Sequence, residues 1–171
     1  MREWVLRAAE ADDIEQLVEM RAVVMRADLE RLGRFDPQRV RRRLRDAYEP
    51  EHSWIIEVDG EFAGCVALRP APDAYWLEHF FLAPHLQGSG TGGAVVAHLL
   101  ERCDREGVPV RLNVLQGSAA RRLYERHGFV TESEDPVDVF MVRPARPTPS
   151  AAIGPAAVGP VPASARPAPT P

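Results

Sequence analysis

Between Gln87 and Gly93 the chain reads Q-G-S-G-T-G-G, four glycines with two hydroxyl side chains, placed directly before a periodic apolar stretch. That composition suits an oxyanion. Glycines lack Cβ, so successive backbone N–H groups can turn toward one point, and the first turn of a helix adds donors with no intrahelical partner and a partial positive charge. The charge alone is worth only about 0.3–1 kcal/mol, or ~2 kcal/mol when partly buried, so hydrogen bonds must supply most of the grip on a diphosphate. A Walker loop would need Lys and then Ser or Thr after its last glycine. Here Gly93 and Ala94 follow, and the chain has no lysine at all. Gly88, Gly90 and Gly93 match the spacing of a dinucleotide fingerprint, but the loop falls in mid-chain and no alternating strand-helix series follows it.

The elements that must position this loop can be read around it. Trp76, Leu77, Phe80, Phe81 and Leu82 predict a strand buried on both faces, ended by Pro84. Val95, Val96, Leu99 and Leu100 predict a helix starting near Gly92 and closing at Gly107. Before these lie a first strand over Trp4–Ala8 and a helix capped by Asp12 or Asp13 with the stripe Ile14, Leu17, Val18, Val24, Met25. Asp36-Pro37 starts a second helix, and Asp59-Gly60 turns a hairpin between Ser53–Val58 and Glu61–Leu68. After the glycine helix come a strand over Val108–Leu115, a helix from Ser118 through Arg126, and two short strands joined at Asp135-Pro136. Arg21 interrupts the apolar stripe of the first helix, so its side chain leaves from the inward face. It either snorkels to the core edge or presents a guanidinium to a substrate carboxylate or phosphate.

Gln87, Gly90 and Gly92 fill the pattern Q-x-x-G-x-G, and further on Ala120, Leu123, Tyr124, Gly128 and Phe129 form A-x-x-L-Y-x-x-x-G-F. Two such blocks in this order resemble the GNAT family of N-acetyltransferases, most strongly from Trp76 to Phe129. The resemblance implies an α+β, three-layer fold. Its mixed, largely antiparallel sheet would have about six to seven strands, with about four helices and central parallel strands that splay apart. It implies acetyl-CoA as cosubstrate and no metal. Phe81 and Leu82 would pair with the pantetheine amides as an added strand would, and Gln87, Gly88, Ser89, Gly90, Thr91, Gly92 and Gly93 would take the pyrophosphate.

In such a site Tyr124 matches the tyrosine that donates to the departing sulfur, a task suited to a phenol with a pKa of about 10. The backbone N–H of Leu82 would hold the carbonyl oxygen. Glu78 and His79 are neighbours on the central strand, and strict alternation would let only one reach the cleft; the family pattern favours Glu78 as base or as anchor for the acceptor's ammonium. Where the family often carries an asparagine, this chain has Gly117, leaving Ser118 as helix cap and Ser118 or Asn113 for the lost amide contact. A second reading of the same resemblance is a module that binds acyl-CoA as a sensor, without turnover.

The length of 171 residues fits one domain, expected over residues 1–143, followed by a Pro/Ala-rich tail over 144–171 expected to be disordered. The formal charge is −4; removing the tail's Arg146 and Arg166 gives −4 − 2 = −6 for the domain, which argues against a nucleic-acid partner. Cys65 and Cys103 offer neither a disulfide framework nor metal spacing, and His52, His85, His98 and His127 fall outside any metal constellation. A reduced, cytoplasmic location is expected, with no membrane partner. The acceptor is expected to be a small amine, with a protein N-terminus or lysine as the other case, and the resemblance allows a homodimer. Arg39, Arg41, Arg42, Arg43 and Arg45 crowd the second helix, either as a solvated face or as a basic acceptor wall that favours acidic acceptors.

Overall fold

In the computed structural model, residues 2–148 are described. The tail expected to be disordered therefore lies, from residue 149 on, outside the described residues. The elements run β1 (Trp4–Ala8), α1 (Ile14–Arg31), α2 (Pro37–Ala47), β2 (Ser53–Val58), β3 (Glu61–Pro70), β4 (Tyr75–Leu82), α3 (Thr91–Glu106), β5 (Val110–Leu115), α4 (Ala120–Arg126), β6 (Val130–Glu134) and β7 (Asp138–Arg143). The seven strands form one sheet in the order β1-β2-β3-β4-β5-β7-β6, antiparallel except for the parallel pair β4/β5. One face packs on α3 and α4, with Val95, Val96, Leu99 and Leu100 set against Ile56, Val66, Leu68 and Leu112. The other face packs on α1 and α2, with Leu17, Val18 and Leu44 against Ile55, Cys65 and Phe81. The result is three layers, as expected.

Local chemistry explains the boundaries. Asp36 caps α2 by accepting from the N–H groups of Gln38 and Arg39, both at 3.0 Å, while Pro37 occupies the first helical position. Asp59 and Gly60 take φ of 53° and 82°, the two left-handed positions that a type I′ hairpin turn requires. The start of α1 differs from expectation. Asp12 and Asp13 belong to a short 3-10 turn, and the Asp13 carboxylate accepts the Glu10 N–H at 2.8 Å and two bonds from Arg7 at 2.9 and 3.1 Å.

The decisive irregularity is in β4. Cys65 stands opposite Phe81 and Ala67 opposite Glu78, so Val66 alone faces both His79 and Phe80. His79 absorbs the extra residue at φ 49°, a left-handed conformation costly for a side chain with Cβ. Gly64 lies opposite Leu82, and a Cβ there would sit 1.9 Å from the Phe81 carbonyl oxygen, so only glycine lets the two strands close on the bulge. The bulge resets the alternation. Leu77, Phe80 and Leu82 pack on the α3 side and Phe81 on the α1/α2 side.

Candidate active site

The parallel pairing of β4 with β5 is confined to Tyr75/Val110 and Trp76/Arg111, and beyond it the two strands part. The edge of β4 from Leu77 onward thus faces a gap. Ala83 donates its N–H to Ala63 across the β3 ladder at 2.8 Å, so strand alternation turns the peptide groups of Leu82 to the opposite edge, into the gap. There the Leu82 carbonyl accepts from Gln87 Nε2 at 3.0 Å. Gln87 thus uses one of its two amide N–H groups to fix the strand end.

The loop that follows is built for backbone donation. Gly88 and Gly90 take φ of 74° and 92°, and α3 begins at Thr91. Its first internal bond is from Ala94 N–H to Gly90 C=O at 3.1 Å, which leaves the N–H groups of Thr91, Gly92 and Gly93 without an intrahelical acceptor. Ser89 Oγ donates to the Leu86 carbonyl at 2.6 Å and contacts Thr91 Oγ1 at 3.0 Å. Thr91 is buried, and its hydroxyl braces the loop through this contact. A Cβ on Gly92 would meet Leu82 at 3.3 Å and Phe80 at 3.7 Å, which brings the helix N-terminus close against the end of β4. Open gap edge, unpaired first-turn amides and left-handed glycines together fit the pantetheine and pyrophosphate of a CoA thioester.

A cleft of about 660 Å³ opens between α1, α2, β4, β5, α4 and the β6–β7 turn. It gathers Arg21, Glu78, Phe81, Asn113, Ser118 and Tyr124, all expected at the site; Leu82 and residues 87–93 do not line it and join it only along the β4 edge. Tyr124 is 6% exposed, packs edge-on against Phe129 at 5.6 Å, and its hydroxyl finds no hydrogen-bond partner among the described residues. Burial pushes its pKa well above the ordinary phenol value, which keeps the proton in place at neutral pH.

Glu78 is not the free carboxylate expected of a base. Arg69 donates to both of its oxygens, at 2.8 and 3.1 Å, because the β3/β4 register pairs Arg69 with Trp76 and so puts Glu78 two residues along the same strand, as its diagonal neighbour. The expected opposition of Glu78 and His79 also fails, since the bulge intervenes. The His79 imidazole packs near Leu17, Leu44 and Cys65 in the α1/α2 layer, its centroid 6.5 Å from that of Phe81. His79 Nε2 is the one fully buried side-chain polar atom without a partner among the described residues, and burial lowers its pKa. His79 nevertheless also lines the main cleft, so the residue stands between that cleft and the α1/α2 layer.

At the opposite wall Arg21 donates through Nη1 to the Val40 carbonyl at 2.8 Å and lies 6.0 Å from the Phe81 ring centre. Arg21 thus packs at the core edge, as the first reading expects, and also lines the cleft. Its pKa is pushed down to about 10, chiefly by burial and then by the charge of Arg43. Arg34, Arg39 and Arg43 also line the cleft. Sequence reasoning did not separate them from the other arginines, although the i, i+4 spacing of Arg39 and Arg43 was a signal that they share one face. Asn113 donates to Asp138 Oδ1 at 3.0 Å, and Ser118 Oγ accepts from Ala120 N–H at 3.3 Å, which satisfies a donor at the start of α4. Gly117 has φ 75°, and a Cβ there would lie 2.9 Å from the Arg31 guanidinium, so the departure from the family asparagine has a steric companion. His52 gathers with Glu49 and Glu51, their ligand atoms within 4.8 Å of one another. Among the described residues no helix is long and apolar enough to cross a membrane.

Residues 17–129 match the model of the acetyltransferase (GNAT) family. No protein of curated function matches the chain in sequence. Among solved structures, the chain is similar to a PaiA N-acetyltransferase from Thermoplasma acidophilum in complex with coenzyme A, at 18% identity and a TM-score of 0.68 over 83% of this chain and 99% of that one. The ribosomal-protein-S18-alanine N-acetyltransferase of Escherichia coli aligns at 17% identity and a TM-score of 0.65, over 87% and 98%. N-acetylglutamate synthase from Neisseria gonorrhoeae, complexed with coenzyme A and L-arginine, aligns at 21% identity and 0.58, over 84% of this chain and 34% of that one.

Proposed function

Because the chain belongs to the acetyltransferase (GNAT) family, we propose that it transfers the acetyl group of acetyl-CoA directly to a primary amine while both substrates are bound. The observation that carries the proposal is the β4/β5 gap, with the helix-start amides of α3 near one end of β4 and the mostly buried Tyr124 lining the adjoining cleft. The amine nitrogen attacks the thioester carbonyl, the C–S bond breaks, and an amide and a free thiol result. Leu82 N–H faces the gap from a rigid strand and holds the carbonyl oxygen as charge develops there. Tyr124 gives its proton to the sulfur, and the raised pKa ensures that the proton is present to give.

Glu78 keeps lone pairs beyond the two bonds from Arg69, so it anchors the incoming ammonium and passes its proton to solvent. The cleft volume lies within the range of about 300–1,000 Å³ usual for small-molecule sites, which supports a small amine over a protein segment. Binding without turnover is the second reading. The locked Glu78–Arg69 pair is the observation that favours it.

A thermal-shift titration with acetyl-CoA, followed by thiol release with amines, separates the two. Saturation at about 100 Kd stabilises the folded state by ~2.7 kcal/mol. A shift with thiol release supports transfer, and a shift with no release from any amine supports the sensor. No shift at millimolar acetyl-CoA overturns both.

A further inference from the structure

Four of the five arginines of α2, all but Arg42, fall into two rows. Arg41 and Arg45 face α1 and are paired there with Glu19 and Glu15, each at 2.8 Å. Arg39 and Arg43, in the other row, face the cleft and have no carboxylate partner among the described residues. Arg34 likewise makes no salt bridge among the described residues, although its charge reaches Asp135, and among those residues Arg21 bonds to the Val40 carbonyl and to Met25 sulfur. The acids of the cleft are already engaged. Asp28 pairs with Arg31, Glu78 with Arg69, Asp135 accepts the N–H groups of Val137 and Asp138, and Asp138 accepts from Asn113.

Arg21, Arg34, Arg39 and Arg43 therefore line one cleft with no carboxylate salt bridge among the described residues; Asp135 feels the charge of Arg34, and Arg43 is near enough to Arg21 to oppose its charge. Like charges held together this way lower their energy when an oxyanion enters. We propose that this wall is an oxyanion subsite and that the acceptor is an amine bearing a carboxylate or a phosphate group. The proposal rests on the acetyl-transfer reading above. Guanidinium forks match the planar or trigonal oxygens of such groups, and the same wall repels polyamines and other acceptors that carry a second positive charge.

The test compares matched amines in acetyl-CoA-dependent thiol release: glycine against glycinamide, glutamate against glutamine, and phosphoethanolamine against ethanolamine. The first two pairs report a carboxylate and the third a phosphate. A lost charge-assisted contact corresponds to about a ten- to hundredfold change, so at least one anionic member should exceed its neutral partner in kcat/KM by at least about tenfold. Arg39→Gln with Arg43→Gln should move that ratio toward one, mainly through KM, whereas the control pair Arg41→Gln with Arg45→Gln should keep it.

Equal or better use of neutral partners, survival of the preference in the Arg39/Arg43 double variant, or turnover of no amine in the panel overturns the subsite, provided acetyl-CoA still shifts the melting temperature. Absence of that shift in the wild-type protein overturns the acetyl-transfer reading and the subsite with it.

Discussion

Replacing Gly64 by alanine should damage both the fold and the site, through a single contact. The added Cβ would stand 1.9 Å from the Phe81 carbonyl oxygen, where real Cβ contacts are not shorter than 3.0 Å, so β3 and β4 must separate locally by at least 3.0 − 1.9 = 1.1 Å. That distance breaks ladder bonds around the Cys65/Phe81 pair and strands their donors in a buried strand. Two lost bonds at ~1 kcal/mol each, with a desolvation cost of about 1–3 kcal/mol, give a loss of roughly 3–5 kcal/mol. For a chain of this size that lowers Tm by about 10 °C or more.

Because Leu82 lies opposite Gly64, its N–H moves with the strand, and a misplacement of about 1 Å at a catalytic group costs on the order of 10²-fold in rate. Scanning calorimetry and thiol-release kinetics read the two effects. Gly33→Ala is the control: it has φ 68° but open space around a Cβ, so it should lose only the ~1–2 kcal/mol of left-handed strain. If Gly64→Ala melts within about 2 °C of wild type and keeps kcat/KM within about twofold, the close approach of β3 to the bulge is not what fixes Leu82.

Tyr124→Phe keeps the edge-on packing with Phe129 and removes only the hydroxyl. It should lower kcat by about 10²–10⁴-fold while the acetyl-CoA thermal shift persists, and an unchanged kcat would remove Tyr124 from the acid role. Asp104→Asn breaks the nearly buried pair in which Arg143 donates to both oxygens at 2.8 and 2.9 Å, and should cost about 3 kcal/mol in denaturant unfolding. Arg143 holds the Asp104 pKa below its ordinary value, so the contribution is present above the usual carboxylate range and is lost as pH falls through the lowered folded value. The Tm gap between wild type and Asp104→Asn should therefore close as pH drops from about 6 to about 3; a gap constant with pH would contradict the assignment.

Much of the fold was legible because its signals are local. The Asp-Gly turn, the Asp36-Pro37 helix start and the bounds of β1 and β2 depend on residues next to one another. The glycine loop and the tyrosine block were legible for the same reason. The bulge was not, since it exists only where β4 meets β3, and with it went the assumption that Glu78 and His79 point apart. One trace was present: a glycine inside the apolar strand Glu61–Pro70 signals a close backbone approach. The engagement of Glu78 by Arg69 depends on register between two strands, which spacing along one chain does not give. The division of the α2 arginines likewise requires knowing which neighbour each row meets.

That division has an evolutionary consequence. The row at 41 and 45 ties α2 to α1, whereas the row at 39 and 43 makes no salt bridge among the described residues. Residues 39 and 43 are therefore free to drift without unfolding the domain, and a change of acceptor can be selected there while the helix stays anchored by its other face. With the oxyanion subsite proposed above, acceptor choice would lie in α2 and cosubstrate capture in the glycine loop, so one could be conserved while the other is rewritten.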